Sequence, residues 1–271
     1  MKIENISVMN FENALRGARN PLESWHKIDS YFDIVKENEV YGHCLNMAEK
    51  WKEKRDNERL SLNLDELTKY FEENCVLEKS KSGDLCKIAL IGPDDMSLCQ
   101  KLIHAGPEHR KFMRQIFVSM DLTAPLYWWK EMDKYQIGTV TNSCSTMHKL
   151  KDTPITLDCF EIDDYNRDLI ITKNEFGEHL DYGMESFSEI VIQALEKLRL
   201  KYLETKDKKY WKELIRWLPE SWLQKRTMAM NYENLYSICI QREGHRLSEW
   251  KTFIKIIGEE LPYSQDLLFF Y

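Results

Sequence analysis

None of the seven cysteines in this 271-residue chain stands in a CxxC pair, and seven is an odd number. A disulfide framework and a structural zinc site both need paired spacings, so neither is expected, and no metal ligands are expected elsewhere. His43 beside Cys44 is too isolated for metal spacing. No apolar run approaches membrane-spanning length. The first residues, MKIENISVMNFENAL, put acidic and polar side chains where a signal peptide needs an apolar block. The expectation is a cytoplasmic protein with no membrane partner. Positive charge is also short: at a formal −7 the chain lacks the basic surface of a general nucleic-acid binder. A local cluster such as His109 to Lys111 can still hold one small anion. Repeats and low-complexity tracts are missing, and so are GxGxxG, the Walker phosphate loop, GxSxG and HExxH. Generic catalytic signatures therefore give no lead.

What is present is enough chain for a proper core, as one large domain or two small ones, with 43% hydrophobic residues, 8 Trp and 13 Tyr. Chemistry-bearing side chains concentrate between His104 and Lys149. Phe112, Met113, Ile116, Phe117 and Met120 fall at helical spacing, which predicts a helix over HRKFMRQIFVSM with His109, Arg110 and Arg114 off its buried stripe. A second helix is expected next, with Thr123 as cap and Pro125 in its first turn. Gly138 then releases the chain into TVTNSCST, a polar loop too rich in β-branched and hydroxyl residues to extend a helix. Cys144 in that loop is a candidate nucleophile, but a catalytic thiol needs a base and the sequence does not show which His reaches it.

Along the rest of the chain, Ile3 to Met9 alternates as a short strand, and Phe11 to Ala18 reads as a helix stopped by Asn20-Pro21. The following turn carries Arg19, Trp25 and His26, either as a solvated turn with a packed Trp or as a phosphate contact. Asp29 to Leu77 reads as mostly charged helix with a solvated face, and SKSGD (80–84) as a loop. Lys87 to Ile91 is a buried strand ended by Gly92-Pro93, after which Asp94 or Asp95 caps a helix through Ile103. Thr153 to Phe160 and Asp168 to Lys173 are candidate strands. Ser186 and Glu189 predict a capping box for a helix through Lys201 that buries Ile190, Val191, Ala194, Leu195 and Leu198. Amphipathic helices follow around Trp211 to Leu218, Leu235 to Arg242, and Trp250 to Ile257. The fold class is α+β: helix-rich, with a modest and mostly antiparallel sheet.

Three stretches resemble the flavin-dependent thymidylate synthases (ThyX), whose signature is RHRxxSxNExSxRY with a His…GluHis element upstream. HAGPEH is similar to the upstream element at His104, Glu108 and His109. TVTNSCSTMH resembles the second half of the signature, with Asn142 and Ser145 in register. NYENLYSICIQR resembles the helix NxRSLxxFxxxR, matching at Asn231, Leu235 and Arg242. The likeness is to a divergent phage and bacterial branch. It implies a single ThyX-like domain over residues 1–271, with a helical insertion at about 36–84.

The same resemblance implies a homotetramer, FAD as cofactor, and one-carbon transfer from methylenetetrahydrofolate to dUMP or a related pyrimidine nucleotide. Ser145, Asn142 and His148 are then the catalytic candidates, and His104, Glu108, His109 and Asn231 the cofactor-binding ones. Arg19, Arg110, Arg114, Ser143, Lys149 and Arg242 are the candidates for substrate, and Arg16 is a further basic group nearby. Trp128 and Trp129 are either core or a stacking surface for a flat ring. For His104 and Glu108 a structural reading stands beside the functional one.

The departures are specific. The RHR triplet falls on Tyr135-Gln136-Ile137, or on Lys134-Tyr135-Gln136 with one inserted residue, and neither register keeps an arginine. NExSxRY becomes Asn142-Ser143-Cys144-Ser145-Thr146-Met147-His148, and the NxRS arginine becomes Glu233. The arginine of a last family motif, AQxEIR, lands near Thr252 or Lys251. Met or Glu cannot supply a bidentate guanidinium, and a glutamate facing a phosphate repels it. Three readings stay open: the inherited reaction, a nucleotide-modifying enzyme of the same fold with altered substrate or cofactor, and a non-catalytic nucleotide-binding or assembly protein.

Overall fold

The computed structural model describes residues 1–54, 63–79, 84–172 and 182–270. In chain order it runs β1 (Lys2–Met9), α1 (Phe11–Arg19), β2 (Tyr31–Lys36), α2 (Val40–Glu53), α3 (Leu64–Asn74), β3 (Val76–Lys79), β4 (Leu85–Leu90) and α4 (Pro93–His104). Then come β5 (Phe117–Pro125), α5 (Leu126–Met132), β6 (Val140–Ser143), α6 (Thr146–Lys149), β7 (Ile170–Thr172), β8 (Tyr182–Gly183) and α7 (Met184–Thr205). The chain ends through α8 (Lys208–Arg216), β9 (Leu223–Asn231), α9 (Tyr232–Arg242), α10 (Ser248–Glu260) and α11 (Ser264–Leu267). Among the described residues no helix is long and apolar enough to cross a membrane, and no group of His, Cys, Asp and Glu is placed to hold a metal ion. The SKSGD loop lies largely outside the described residues, as does the end of the charged run after Lys54.

The chain divides into two compact units. The larger comprises Ile3–Met120, Gln136–Val140 and Met228–Tyr271, and the smaller Met1–Lys2, Asp121–Tyr135 and Thr141–Thr227. A four-stranded sheet has the order β1-β5-β9-β6.

In the larger unit, β2-β4-β3 form an antiparallel sheet in which Tyr31 faces Leu90 and Val76 faces Ala89. The core is aromatic. Phe11 meets Tyr232 and Tyr263 edge-on at 5.7 and 5.8 Å, and Trp51 meets Phe71 at 5.6 Å. The buried phenols are satisfied: Tyr232 donates to Pro262 O at 2.6 Å, and Tyr263 Oη accepts from Ile91 N–H at 3.1 Å. The region 36–84 is tied into this core rather than draped on it. Tyr70 of α3 donates to Asp266 at 2.6 Å, and Asn74 Oδ1 accepts from Tyr263 N–H at 2.6 Å.

Several expectations need correction. The helix expected from His109 to Met120 is a 3-10 turn, Arg110–Gln115, followed by β5. Phe112, Met113 and Ile116 are buried as expected, but Phe117 is 48% exposed. From there Val118, Met120, Leu122 and Ala124 alternate inward, so a period of two displaces a period of 3.6. Thr123 is consequently a strand residue, and Pro125 takes the N-cap position of α5. The run after Gly138 begins as β6 rather than loop. The cap of α4 comes from outside the helix: the Asp29 carboxylate accepts from Asp94 and Asp95 N–H, each at 3.0 Å.

In the smaller unit, Thr153 to Phe160 is no strand but a 3-10 turn at Leu157–Cys159 and a single bridge from Phe160 to Trp222. Helix α7 starts at Met184 with Gly183 as its cap, three residues before the expected cap Ser186, and leaves Ile190 exposed while burying Leu195. Its core joins Leu150, Ile155, Phe160, Leu195 and Leu214. Trp128 and Trp129 are both buried and meet edge-on at 5.0 Å, which settles them as core.

Candidate functional site

In the larger unit the site-forming element is the start of α9. Asn231 Oδ1 accepts from Asn234 N–H at 2.9 Å, and Asn234 Oδ1 accepts from Asn231 N–H at 3.2 Å, a reciprocal capping box. Asn234 Nδ2 also donates to Ile137 O at 2.8 Å, which fixes the segment at the RHR-equivalent positions against the helix start. Gly138 permits this approach: its φ is +79°, and an added Cβ would lie 2.9 Å from Asn234 Oδ1.

Arg110 closes on the same helix. Its Nε reaches Glu233 Oε1 and Oε2 at 3.0 and 2.9 Å, and its guanidinium lies 4.4 Å over the Tyr236 ring. The acid at the family's arginine position is therefore matched by an arginine from 123 residues earlier. Glu233 offers no uncompensated charge, and Arg110 is committed to it rather than open to a phosphate.

Arg19 is likewise committed. It is buried, and donates from Nε to Asp95 Oδ1 at 2.6 Å. Asp95 Oδ2 accepts from Asp29 N–H, Ser30 N–H and Ser30 Oγ at 3.2, 3.1 and 2.5 Å. This is a structural ion pair. The remaining candidates of this unit lie toward solvent. His104 packs its ring edge on Phe270 at 4.7 Å, Glu108 pairs with Lys111 at 3.8 Å, and His109 and Arg114 are exposed. Arg242 sits 4.7 Å over the Trp250 ring.

In the smaller unit, Asn142 and Ser143 are exposed on β6, and Cys144 is exposed after it. Among the described residues no histidine is hydrogen-bonded to the Cys144 thiol. The Cys144 backbone is held instead, its N–H donating to Lys225 O at 2.8 Å and its carbonyl accepting from Gln224 Nε2 at 3.1 Å. Ser145 caps α6 by accepting from His148 N–H at 3.2 Å, and its Oγ lies 2.7 Å from His148 Nδ1. That hydroxyl–imidazole contact can pass a proton, with Nε2 left on the outer side. Lys149 is exposed, 3.6 Å from Asp152.

Sequence reading missed the partners on β9. Arg226 stacks 4.2 Å over Trp129 and donates to Asp133 and Gln224 at 2.7 and 3.0 Å. Lys225 and Thr227 both meet Asp121, at 3.3 and 2.6 Å. Only Met228 and Met230 alternate inward on this strand, too short a pattern to announce it.

No protein-family model matches the chain, and no curated protein matches it. Solved structures do. Thymidylate synthase X (ThyX) from Helicobacter pylori, a structure with FAD and dUMP, aligns over 98% of this chain and 97% of its own, at 13% identity and a TM-score of 0.54. The chain has the ThyX fold. A second Helicobacter pylori ThyX structure, also with FAD and dUMP, covers 87% of this chain and 97% of its own at 14% identity and a TM-score of 0.46. The UMP/dUMP methylase PolB from Streptomyces cacaoi, bound with 5-Br UMP, covers 65% and 84% at 11% identity and a TM-score of 0.46. The three resembling stretches fall on the end of α4 and the turn after it, on β6 and α6, and on α9.

Proposed function

We propose that this protein is a divergent ThyX-like enzyme that transfers a one-carbon unit, from a folate donor, to a pyrimidine nucleotide of the dUMP class. The observation that carries the reading is the ThyX fold over 98% of the chain, on a structure that holds dUMP and FAD. The order of the three resembling stretches supports it. Ser145 and His148 are the groups for proton movement, Asn142 and Ser143 hydrogen-bond the base, and Lys149 is the exposed cation for the phosphate. His104, Glu108 and His109 remain the candidates for holding a cofactor, and a homo-oligomer, tetrameric by resemblance, is the assembly.

Flavin is the weak point of the inherited reaction. At the RHR-equivalent positions, Lys134 is bound to Glu131 at 2.7 Å and Ile137 is an exposed apolar side chain, so no guanidinium is offered there. These residues do not fit that grip on FAD. The misfit favours a second reading, a pyrimidine-modifying enzyme of the same fold with a different cofactor.

The test is direct. Calorimetry with dUMP, the absorbance spectrum of the purified protein, and tritium release from C5-labelled dUMP with methylenetetrahydrofolate separate the readings. Nucleotide binding with turnover supports the first, and binding in a colourless protein without turnover supports the second. No binding of dUMP or UMP at millimolar concentration overturns both.

A further inference from the structure

The smaller unit contains an open cavity of about 400 Å³, lined by none of the residues assigned above to nucleotide or cofactor. Phe160, Val191 and Ile192 join it to the packed cluster around Leu195, so its inner wall is fixed. Its outer wall is apolar and uncovered: Phe187 is 52% exposed and Trp217 is 68% exposed. Trp217 is nevertheless held, because its Nε1 donates to Glu213 at 3.0 Å. Large exposed aromatics around a concave apolar surface mark a binding site more often than a bare surface. The volume falls in the range of small-molecule pockets, roughly 300–1,000 Å³.

The polar groups narrow the ligand. Tyr165 Oη lies 2.5 Å from Ser188 Oγ and 3.2 Å from Met184 O, and Ser188 Oγ lies 2.8 Å from Glu185 O. Each hydroxyl has one hydrogen, and every allocation of the two uses both within this triangle. What the pair presents to the cavity is lone pairs, so it accepts and does not donate. Glu161, the one ionised residue on the lining, is paired with the Met1 ammonium at 2.8 Å, so the lining offers no free charge to an ion, and the apolar walls penalise any charge left unpaired.

We propose that this cavity binds an uncharged, planar aromatic molecule carrying an O–H or N–H donor. Its ring lies against Phe187 and Trp217, and its donor meets Tyr165 Oη. This proposal is independent of the nucleotide chemistry above, because no residue of that reading lines the cavity.

The full chain is titrated with 2-naphthol, its methyl ether and 2-naphthoate, followed by calorimetry and saturation-transfer NMR. Naphthol is expected to bind in the micromolar range, the ether about fivefold more weakly, and the carboxylate least. Trp217→Ala, at an exposed position that leaves the fold intact, is expected to weaken naphthol about tenfold. Tyr165→Phe is expected to erase the preference for naphthol over its ether while leaving ether binding unchanged. No binding by the wild-type chain, or equal binding by Trp217→Ala, overturns the proposal. So does a sedimentation result in which Trp217→Ala splits a dimer, since the cleft is then an interface between copies.

Discussion

The stretches that resemble family motifs behave differently in the two units. In the larger unit the stretch on α9 closes on its neighbours, Asn231 on Asn234 and Glu233 on Arg110, as Arg19 closes on Asp95, while His104, Glu108 and His109 stay at the surface. In the smaller unit Asn142, Ser143, Cys144, His148 and Lys149 stay at the surface. Burial explains the contrast, because a buried polar group must find a partner inside the chain whereas an exposed one is served by water. The lesson for function is that a motif residue kept in sequence can be consumed by the structure. Asn231 is such a residue, and the surface run on β6 and α6 holds groups still open to a ligand.

The contrast breaks most visibly at Asp95. Asp95→Ala strands a buried guanidinium and three further donors, so unfolding free energy should fall by about 3–5 kcal/mol in urea titrations. A loss under about 1 kcal/mol means that the inner polar groups are not mutually dependent. Next in size is Glu233→Ala, which should cost about 1.5–3 kcal/mol because a charged, half-sheltered hydrogen bond is lost. In a double-mutant cycle with Arg110→Ala the two losses should add to clearly more than the double variant shows. Glu233→Arg should be worse than Glu233→Ala, since it restores the family's residue beside an arginine that this chain already places there. If Glu233→Arg instead stabilises, Arg110 does not need its acid.

These pairings set the limit of what the sequence could reveal. The helix at Tyr232–Arg242 was readable because its apolar stripe is local, and β4 because Ile88 to Ile91 is a continuous buried run. The segment at 110–125 misled because Phe112, Met113 and Ile116 satisfy a helical spacing in a 3-10 turn. The inward alternation of β5 begins only at Val118. Glu233 read as a repulsive residue for the same reason that β9 went unseen: the partner that decides its role lies far away in sequence. Local patterns carry local structure, and ion pairs between distant segments leave no spacing.

A smaller effect tests whether the smaller unit has any inner polar group of the same kind. Glu196 accepts from Arg199 Nε and Nη2 at 2.8 and 2.6 Å and from Ile155 N–H at 2.9 Å. The Arg199 hydrogen bonds, helped by the Ile155 amide and opposed by partial burial, hold its carboxyl below the usual range. A depressed folded value stabilises above the unfolded pKa, near 4.3, and that stability is lost as pH falls through the folded value. Glu196→Gln should therefore cost about 1 kcal/mol at pH 7, and the gap to wild type should close in acid. A gap that stays constant down to pH 3 would show that charge is not what Glu196 contributes.

The smallest expected change sharpens the functional side. Ser145→Ala removes the cap of a four-residue surface helix and should cost about 0.5–1 kcal/mol, near the low end for caps because water can replace the hydroxyl. Its effect on chemistry should be much larger than its effect on stability. Oγ is the only protein group drawn to His148 Nδ1 among the described contacts, and without it the imidazole loses its preferred tautomer and orientation. Turnover of a pyrimidine nucleotide should then fall by about tenfold or more, while nucleotide affinity changes little. Ser145→Thr keeps the hydroxyl and should restore both the cap and the rate. If Ser145→Ala lowers stability as expected but leaves turnover intact, the Ser145–His148 contact is a helix cap alone, and proton movement belongs to other residues.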